Sequence, residues 1–376
     1  MPEPAYPVAR AVAQKVHDHF VRHLGEARAS GRTSLAPQPD LDAIETMIDA
    51  AFWASLRREE GQTPRISLAF VPADQAGQPL LFETRLPLRP AGLTKLAPAV
   101  ERPGIHLGVW REEGEFCVWG TTRILPAFAF VVEVVTSGLL VIKDRSEPGH
   151  KFVNVALLEG DHIKFIDEGQ AFAPDCPRPV RSLLGFNQRE GRAGNILVQL
   201  ATSMRAHGRG GALLIVPSHS SEWQESIVSP VLYAVQPAFR ELAELMTMIP
   251  APGDVAEWQE ALRGAVSALG GLTAVDGATV MTDTYEVLAF GAKIRRRRHS
   301  PSVERVVATE PVEGSATTIV APALLGGTRH LSAAQFVHDQ RESIALIASQ
   351  DGRFTIFQWA DSEDMVHAHR VEALLL

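Results

Sequence analysis

A glycine-rich turn followed by a helical pattern is the stretch of this sequence best suited to chemistry. Gly326 and Gly327 precede Thr328, Arg329 and His330, and apolar residues then recur at helical spacing. This pattern predicts a helix that begins near Thr328, with Thr328 as its N-cap. The first turn of a helix carries unpaired N–H groups and the positive end of the helix dipole, so an anion can bind there. Arg329 and His330 add donors, and the turn is therefore a candidate phosphate site.

A second candidate lies upstream, where Asp276, Gly277 and Ala278 open a strand-like run. Each piece alone is a weak signal, because an ordinary capped helix and an ordinary strand start have the same pattern. Read together, the two pieces predict a nucleotide pocket. A third glycine-rich segment, residues 207–211, is interpreted as a helix-to-strand turn rather than as a second phosphate loop.

A block of four arginines, residues 295–298, allows two interpretations. Like-charge blocks usually face water, so a solvated loop is the favoured one. The alternative is a mobile basic flap that covers a phosphate ligand.

Composition limits the class of protein. The chain has 376 residues, 45% of them hydrophobic, which is enough for a large core and most simply two domains. Its net charge of -8 argues against a nucleic-acid or anionic-membrane partner. Cys117 and Cys176 are too far apart for a metal motif, and we expect no metal, no other cofactor and no disulfide framework. Since no signal peptide or membrane-spanning run is evident, we expect a cytoplasmic protein.

The elements that must position these residues fall into two groups. In the first, two helices (from residue 5 to 28, and from Asp40 onward) precede eight short apolar or alternating runs between residues 65 and 167. These runs predict a mostly antiparallel sheet or a small barrel. Three prolines between residues 171 and 179 suggest a linker, so we predict domains at 1–179 and 180–376.

The second group has a mixed α/β pattern. Predicted helices cover residues 193–206 and 255–269, and a longer helical zone, interrupted by Pro230 and Pro237, covers 223–248. Short strands lie between and after these helices, and two of them form a predicted hairpin that turns at residues 283 and 284. No internal repeat is evident. The predicted fold is therefore α+β or mixed α/β, with a β-rich N-terminal domain and a C-terminal α/β domain on a mixed central sheet.

The two glycine-containing motifs carry a resemblance to a known family. Asp-Gly-Ala at 276–278 followed by Gly-Thr-Arg-His at 327–330 resembles the signature pair of the diadenylate cyclase domain family, and the order of elements from about residue 190 to 360 agrees. More narrowly, the chain resembles the DACNV-type branch, which is regarded as a group of nucleotide sensors. The resemblance implies that the first motif lies beside ribose and phosphate, with its aspartate binding the catalytic metal of the enzymes. It implies that the second motif holds phosphate oxygens. The implied ligand-binding residues are Asp276, Gly277, Ala278, Gly327, Thr328, Arg329 and His330.

Departures from the cyclase pattern affect the metal-binding part. Leu331 stands where the enzymes usually carry a further arginine, Arg341 replaces an acid, and residues 348–350 (Ala-Ser-Gln) replace a Ser-Glu-Glu run. Joining two ATP molecules requires a metal between phosphates, whereas binding a cyclic dinucleotide requires only an anion site. The pattern therefore favours a sensor over an enzyme, with no catalytic residue assigned and cyclic di-AMP, or else ATP, as ligand.

Two alternatives remain open from the sequence. One is an active diadenylate cyclase with a rearranged metal site, which the resemblance implies would work as a homodimer. The other is a fold that has become an interaction or assembly module.

Overall fold

The computed structural model describes residues 5–145, 152–172, 176–184, 191–251 and 253–376. The chain divides into two compact units, one of residues 1–166 with Leu376 and one of residues 167–375. This division falls before the proline-rich segment on which the predicted boundary at residue 179 was based. Each unit is built on a mixed sheet with helices, which confirms the mixed α+β class. No helix in the described part of the chain has both the length and the apolar character needed to cross a membrane.

Three helices of the first unit pack on one face of its sheet. They are α1 (Pro7–Ala29), α2 (Leu41–Ser55) and α3 (Pro90–Val100). α1 buries Val12, Val16 and Phe20, which recur every four residues. α2 begins where predicted, because the carboxylate of Asp40 accepts a hydrogen bond of 2.7 Å from the N–H of Ala43.

The sheet of the first unit has eight strands in the order β2-β4-β3-β1-β5-β6-β7-β8. Each of the eight predicted runs overlaps one of these strands. β1 and β3 are parallel, and the other neighbours are antiparallel. The strands are β1 (Ile66–Phe70), β2 (Leu80–Pro87), β3 (His106–Glu112), β4 (Glu115–Thr122), β5 (Phe130–Thr136), β6 (Leu139–Asp144), β7 (Val153–Glu159) and β8 (His162–Phe165).

The second unit has a nine-stranded sheet in the order β10-β12-β11-β9-β15-β16-β17-β13-β14. Its strands are β9 (Gly211–Val216), β10 (Tyr233–Phe239), β11 (Ala278–Thr282), β12 (Val287–Ala292), β13 (Val306–Thr309), β14 (Thr318–Val320), β15 (Ile344–Ala348), β16 (Phe354–Ala360) and β17 (Met365–Arg370). Its helices are α4 (Arg178–Leu183), α5 (Gly191–Ala206), α6 (Glu241–Thr247), α7 (Val255–Leu272) and α8 (Thr328–Asp339). α8 packs against β15, β16 and β17.

The helical zone predicted over residues 223–248 is wrong. The segment instead forms a short 3₁₀ turn (Glu222–Ser226), then β10, and then the short helix α6. Pro230 and Pro237 explain the difference, because proline interrupts a helix but is accepted in a strand at the edge of a sheet. β10 is such an edge strand.

The two units repeat one topology, although no repeat is evident in the sequence. The order β2-β4-β3-β1-β5-β6-β7 in the first sheet matches β10-β12-β11-β9-β15-β16-β17 in the second. In both sets of seven strands only one neighbouring pair is parallel, β1 with β3 and β9 with β11. The main difference lies in one connection: residues 123–129 join β4 to β5, whereas residues 293–343 join β12 to β15 and include α8.

Candidate functional site

The topology of the second unit brings the two predicted motifs to one edge of its sheet. β9 and β11 are parallel, so Gly210 before β9 and Asp276 before β11 lie at the same edge. β15 is antiparallel to β9 and ends there, with Ala348 opposite Gly211. We refer to this region, where β9 and β11 begin, as the starting edge.

Arg329 connects the turn before α8 to the starting edge. A Cβ atom placed on Gly210 would lie only 2.8 Å from Nη1 of Arg329, so the guanidinium group rests directly on that glycine. The pKa of Asp276 is lowered by a hydrogen bond from Lys293 and, more weakly, by the charge of Arg329. The pKa of His207 is lowered by burial and by nearby arginines that include Arg329. Arg329 is half-buried, and its guanidinium group has no hydrogen bond or ion pair with any residue that the structure describes. Arg329 of the second motif is therefore close enough to Asp276 of the first to influence it electrostatically.

Asp276 is highly exposed and bound to a lysine. Its Oδ2 lies 2.6 Å from Nζ of Lys293, and 89% of its side chain is accessible. The hydrogen bond from Lys293 and the charge of Lys293 lower the pKa of Asp276, and Arg329 adds a smaller effect in the same direction. Lys293 reaches this position because Ala292, the residue before it, pairs with Ala278 across the β11–β12 hairpin. Lys293 is not among the site residues predicted from the sequence.

Gly277 is required by the fold itself. Its φ of +119° lies in a region that favours glycine, and a Cβ atom there would lie 2.5 Å from the carbonyl carbon of Gly291. The close approach of the two backbones thus explains this glycine whether or not a ligand binds. Ala278, the third residue of the motif, is a buried member of β11.

The turn before α8 presents backbone and hydroxyl groups to solvent. The N-cap is Gly327, with no side-chain cap, so the prediction of Thr328 as N-cap is wrong. Thr328 is instead the first helical residue, and both Gly327 and Thr328 are exposed. Because the Thr328 hydroxyl is not used for capping, it remains accessible to an anion at the helix start.

His330 lies inside the core. It is only 1% exposed, and its Nε2 lies 3.3 Å from Oγ1 of Thr355. Burial lowers the pKa of His330 below its ordinary value, which keeps the ring neutral at neutral pH. We therefore assign the positive charge of the turn to Arg329 rather than to His330.

The block of four arginines is anchored at the other end of α8. The backbone N–H of Arg297 donates to Oδ2 of Asp339 at 2.7 Å, and its Nε donates to Oε2 of Glu225 at 2.6 Å. Asp339 is the last residue of α8, a helix of 12 residues. At 1.5 Å per residue, Arg297 lies roughly 17 Å along the helix from Thr328. This position argues against a basic flap over the turn.

Comparison with known proteins adds one finding from the first unit. Residues 33–123 match the model of a family described as "Probable sensor domain DACNV". The match is consistent with a sensor role. No curated protein matches the chain. The matched region runs from just before α2 to just past the end of β4, and in the topological repeat it corresponds to α5 through β12 of the second unit.

Proposed function

We propose that this protein is a nucleotide second-messenger sensor whose second unit binds a cyclic dinucleotide, with cyclic di-AMP favoured, at the starting edge. Phosphate oxygens bind to Thr328, to Arg329 and to the first N–H groups of α8. Asp276 and Gly277 line the sugar. The family match in the first unit supports the sensor role. The choice of ligand rests on the resemblance of the two sequence motifs in the second unit to those of diadenylate cyclases.

The main support for this proposal is that the guanidinium group of Arg329 is half-buried and is bonded to no described residue. A half-buried guanidinium group loses hydration, and it gains little in return when no described residue bonds to it. A bound phosphodiester compensates for the lost hydration, because its two free oxygens match the paired N–H donors of arginine. The same anion also meets the positive end of the α8 dipole.

We assign binding rather than synthesis of a cyclic dinucleotide to this site. At the end of β15, residues 348–350 are Ala-Ser-Gln, which offer no carboxylate to a catalytic metal. Binding a cyclic dinucleotide makes a weaker demand, since each of its phosphates carries a single negative charge.

Titration calorimetry on the full chain tests this proposal. The ligands are cyclic di-AMP, cyclic di-GMP, ATP and ADP, and the variants are Arg329→Ala and the control Arg296→Ala, which removes an exposed arginine from the anchored block. We expect cyclic di-AMP to bind the wild type, Arg329→Ala to weaken binding about tenfold or more, and Arg296→Ala to leave it unchanged.

Two results would contradict the proposal. One is the absence of binding by all four ligands, which favours an interaction module. The other is dinucleotide product above background when the protein is incubated with ATP and Mn²⁺, which identifies a cyclase.

A further inference from the structure

The diadenylate cyclases that the second unit resembles use an aspartate at the position of Asp276 to hold a divalent metal, and the residues present here do not fit that ion. A divalent metal in such a site needs several carboxylate or histidine ligands. Within the described part of the chain, Asp276 belongs to no group of three or more His, Cys, Asp or Glu side chains with ligand atoms close enough to share an ion. One exposed carboxylate alone is a weak metal ligand.

The position of a metal beside this carboxylate is already taken by a positive group. Nζ of Lys293 lies 2.6 Å from Oδ2 of Asp276, which is hydrogen-bond distance. The ammonium group occupies a lone pair that a metal would need, and it repels a second cation.

The lysine is placed there by the fold rather than by its own flexible side chain alone. Ala292 pairs with Ala278 in the β11–β12 hairpin, and the carbonyl of Lys293 accepts a hydrogen bond of 2.8 Å from the N–H of Val228. The backbone of Lys293 is therefore fixed on both sides, within reach of the start of β11.

The charges around Asp276 leave an excess that suits an anion. Lys293 bonds to the carboxylate directly, and Arg329 acts on it through space. One negative and two positive groups give a local net charge of +1, and the cationic side chains belong to different segments of the chain. A phosphate group between them neutralises that excess.

We propose that Lys293, held against Asp276, supplies the positive charge that a divalent metal supplies in the cyclases, so that the site binds its nucleotide phosphates without metal. This inference rests on the proposed function. It adds Lys293 to the binding residues, and it defines the ligand as an anion taken up in metal-free form.

Calorimetry with cyclic di-AMP in EDTA, and again in excess Mg²⁺, tests the inference on the full chain. The variants are Lys293→Ala, Lys293→Arg and the control Lys95→Ala, which removes an exposed lysine of α3 in the first unit. We expect EDTA to change the wild-type affinity less than about twofold, and Lys293→Ala to weaken it about tenfold, with or without Mg²⁺. Lys293→Arg keeps the charge and retains most of the affinity, and Lys95→Ala has no effect.

Two results would overturn the inference while leaving the proposed function standing. One is a metal requirement, in which the wild type binds cyclic di-AMP in Mg²⁺ but about tenfold more weakly in EDTA. The other is a Lys293→Ala variant that binds as the wild type does. A titration with Mn²⁺ alone gives a readout that needs no nucleotide. Mn²⁺ bound by the wild type and lost in Asp276→Asn overturns the lysine assignment directly. Failure of every nucleotide to bind in either buffer overturns the proposed function and this inference with it.

Discussion

Replacement of Gly277 by alanine tests whether the Asp-Gly-Ala motif is shaped by the fold. The new Cβ atom would lie 2.5 Å from the carbonyl carbon and 2.6 Å from the oxygen of Gly291. A non-glycine residue in this backbone region costs about 1–3 kcal/mol. Overpacking adds about 1–3 kcal/mol. We therefore expect a loss of about 2–6 kcal/mol, which is a large part of the typical 5–15 kcal/mol free energy of unfolding of a domain.

Gly314→Ala is the matched control for the free-energy cost of backbone strain alone. Gly314 also has a positive φ, +74°, but no heavy atom lies within 4 Å of a Cβ built there. Its replacement therefore causes strain without overlap, and we expect about 1 kcal/mol.

Native-state hydrogen exchange of the β9 and β11 amides measures the loss of stability of the second unit in each of the two variants. This choice of assay matters, because a chain of two units need not unfold in a single step. If Gly277→Ala destabilises the second unit no more than Gly314→Ala does, overlap with the Gly291 backbone does not explain the glycine at position 277.

Three further predictions follow from the buried polar groups and from the repeat. Burial lowers the pKa of His106 to about 4, so its stabilising contribution is complete above about pH 6.5 and is lost as the pH falls toward 4. Urea unfolding of the wild type should lose up to about 3 kcal/mol over that window, and His106→Gln should not show this part of the loss. The fully buried carboxylate of Asp339 accepts from Arg297, Ser300 and Gln335, so Asp339→Ala should cost about 2–4 kcal/mol in thermal unfolding, and a loss below about 1 kcal/mol contradicts this. The first unit has a short connection, residues 123–129, where the second has α8, so calorimetry should give one ligand per chain, and two per chain would contradict the assignment.

The sequence predicted most strands, because alternating apolar residues and turn residues act over short distances. The helix α3 was not predicted, because its local sequence does not favour a helix. It contains Gly92 and Pro98, which disfavour a helix locally, yet Leu93, Ala97 and Val100 are buried in the core of the first unit. Tertiary packing outweighs the local propensity there.

The repeated topology could not be read from the sequence. Seven strands keep their order and directions in both units, but a core position requires only an apolar side chain of suitable volume. Two sequences that adopt the same topology can therefore diverge until no repeated residue pattern is visible.

Some features of the candidate site could have been predicted from the sequence. The spacing of α8 places His330 on the same helical face as Ala333, Ala334 and Val337, and this spacing could have predicted its burial. Lys293 was also within reach of sequence reasoning. The predicted hairpin turned near residues 283 and 284, and Asp276 and Lys293 are almost equally distant from that turn. The contact between Arg329 and Gly210 was not predictable, since it depends on how α8 packs on the sheet.

Hydrogen exchange with and without cyclic di-AMP is the most direct test of where the ligand binds. We expect slower exchange in residues 326–331 and 276–278 when the ligand is added, and no such protection in the Arg329→Ala variant. Protection confined to other parts of the chain, with both segments unchanged, would contradict a nucleotide site at the starting edge.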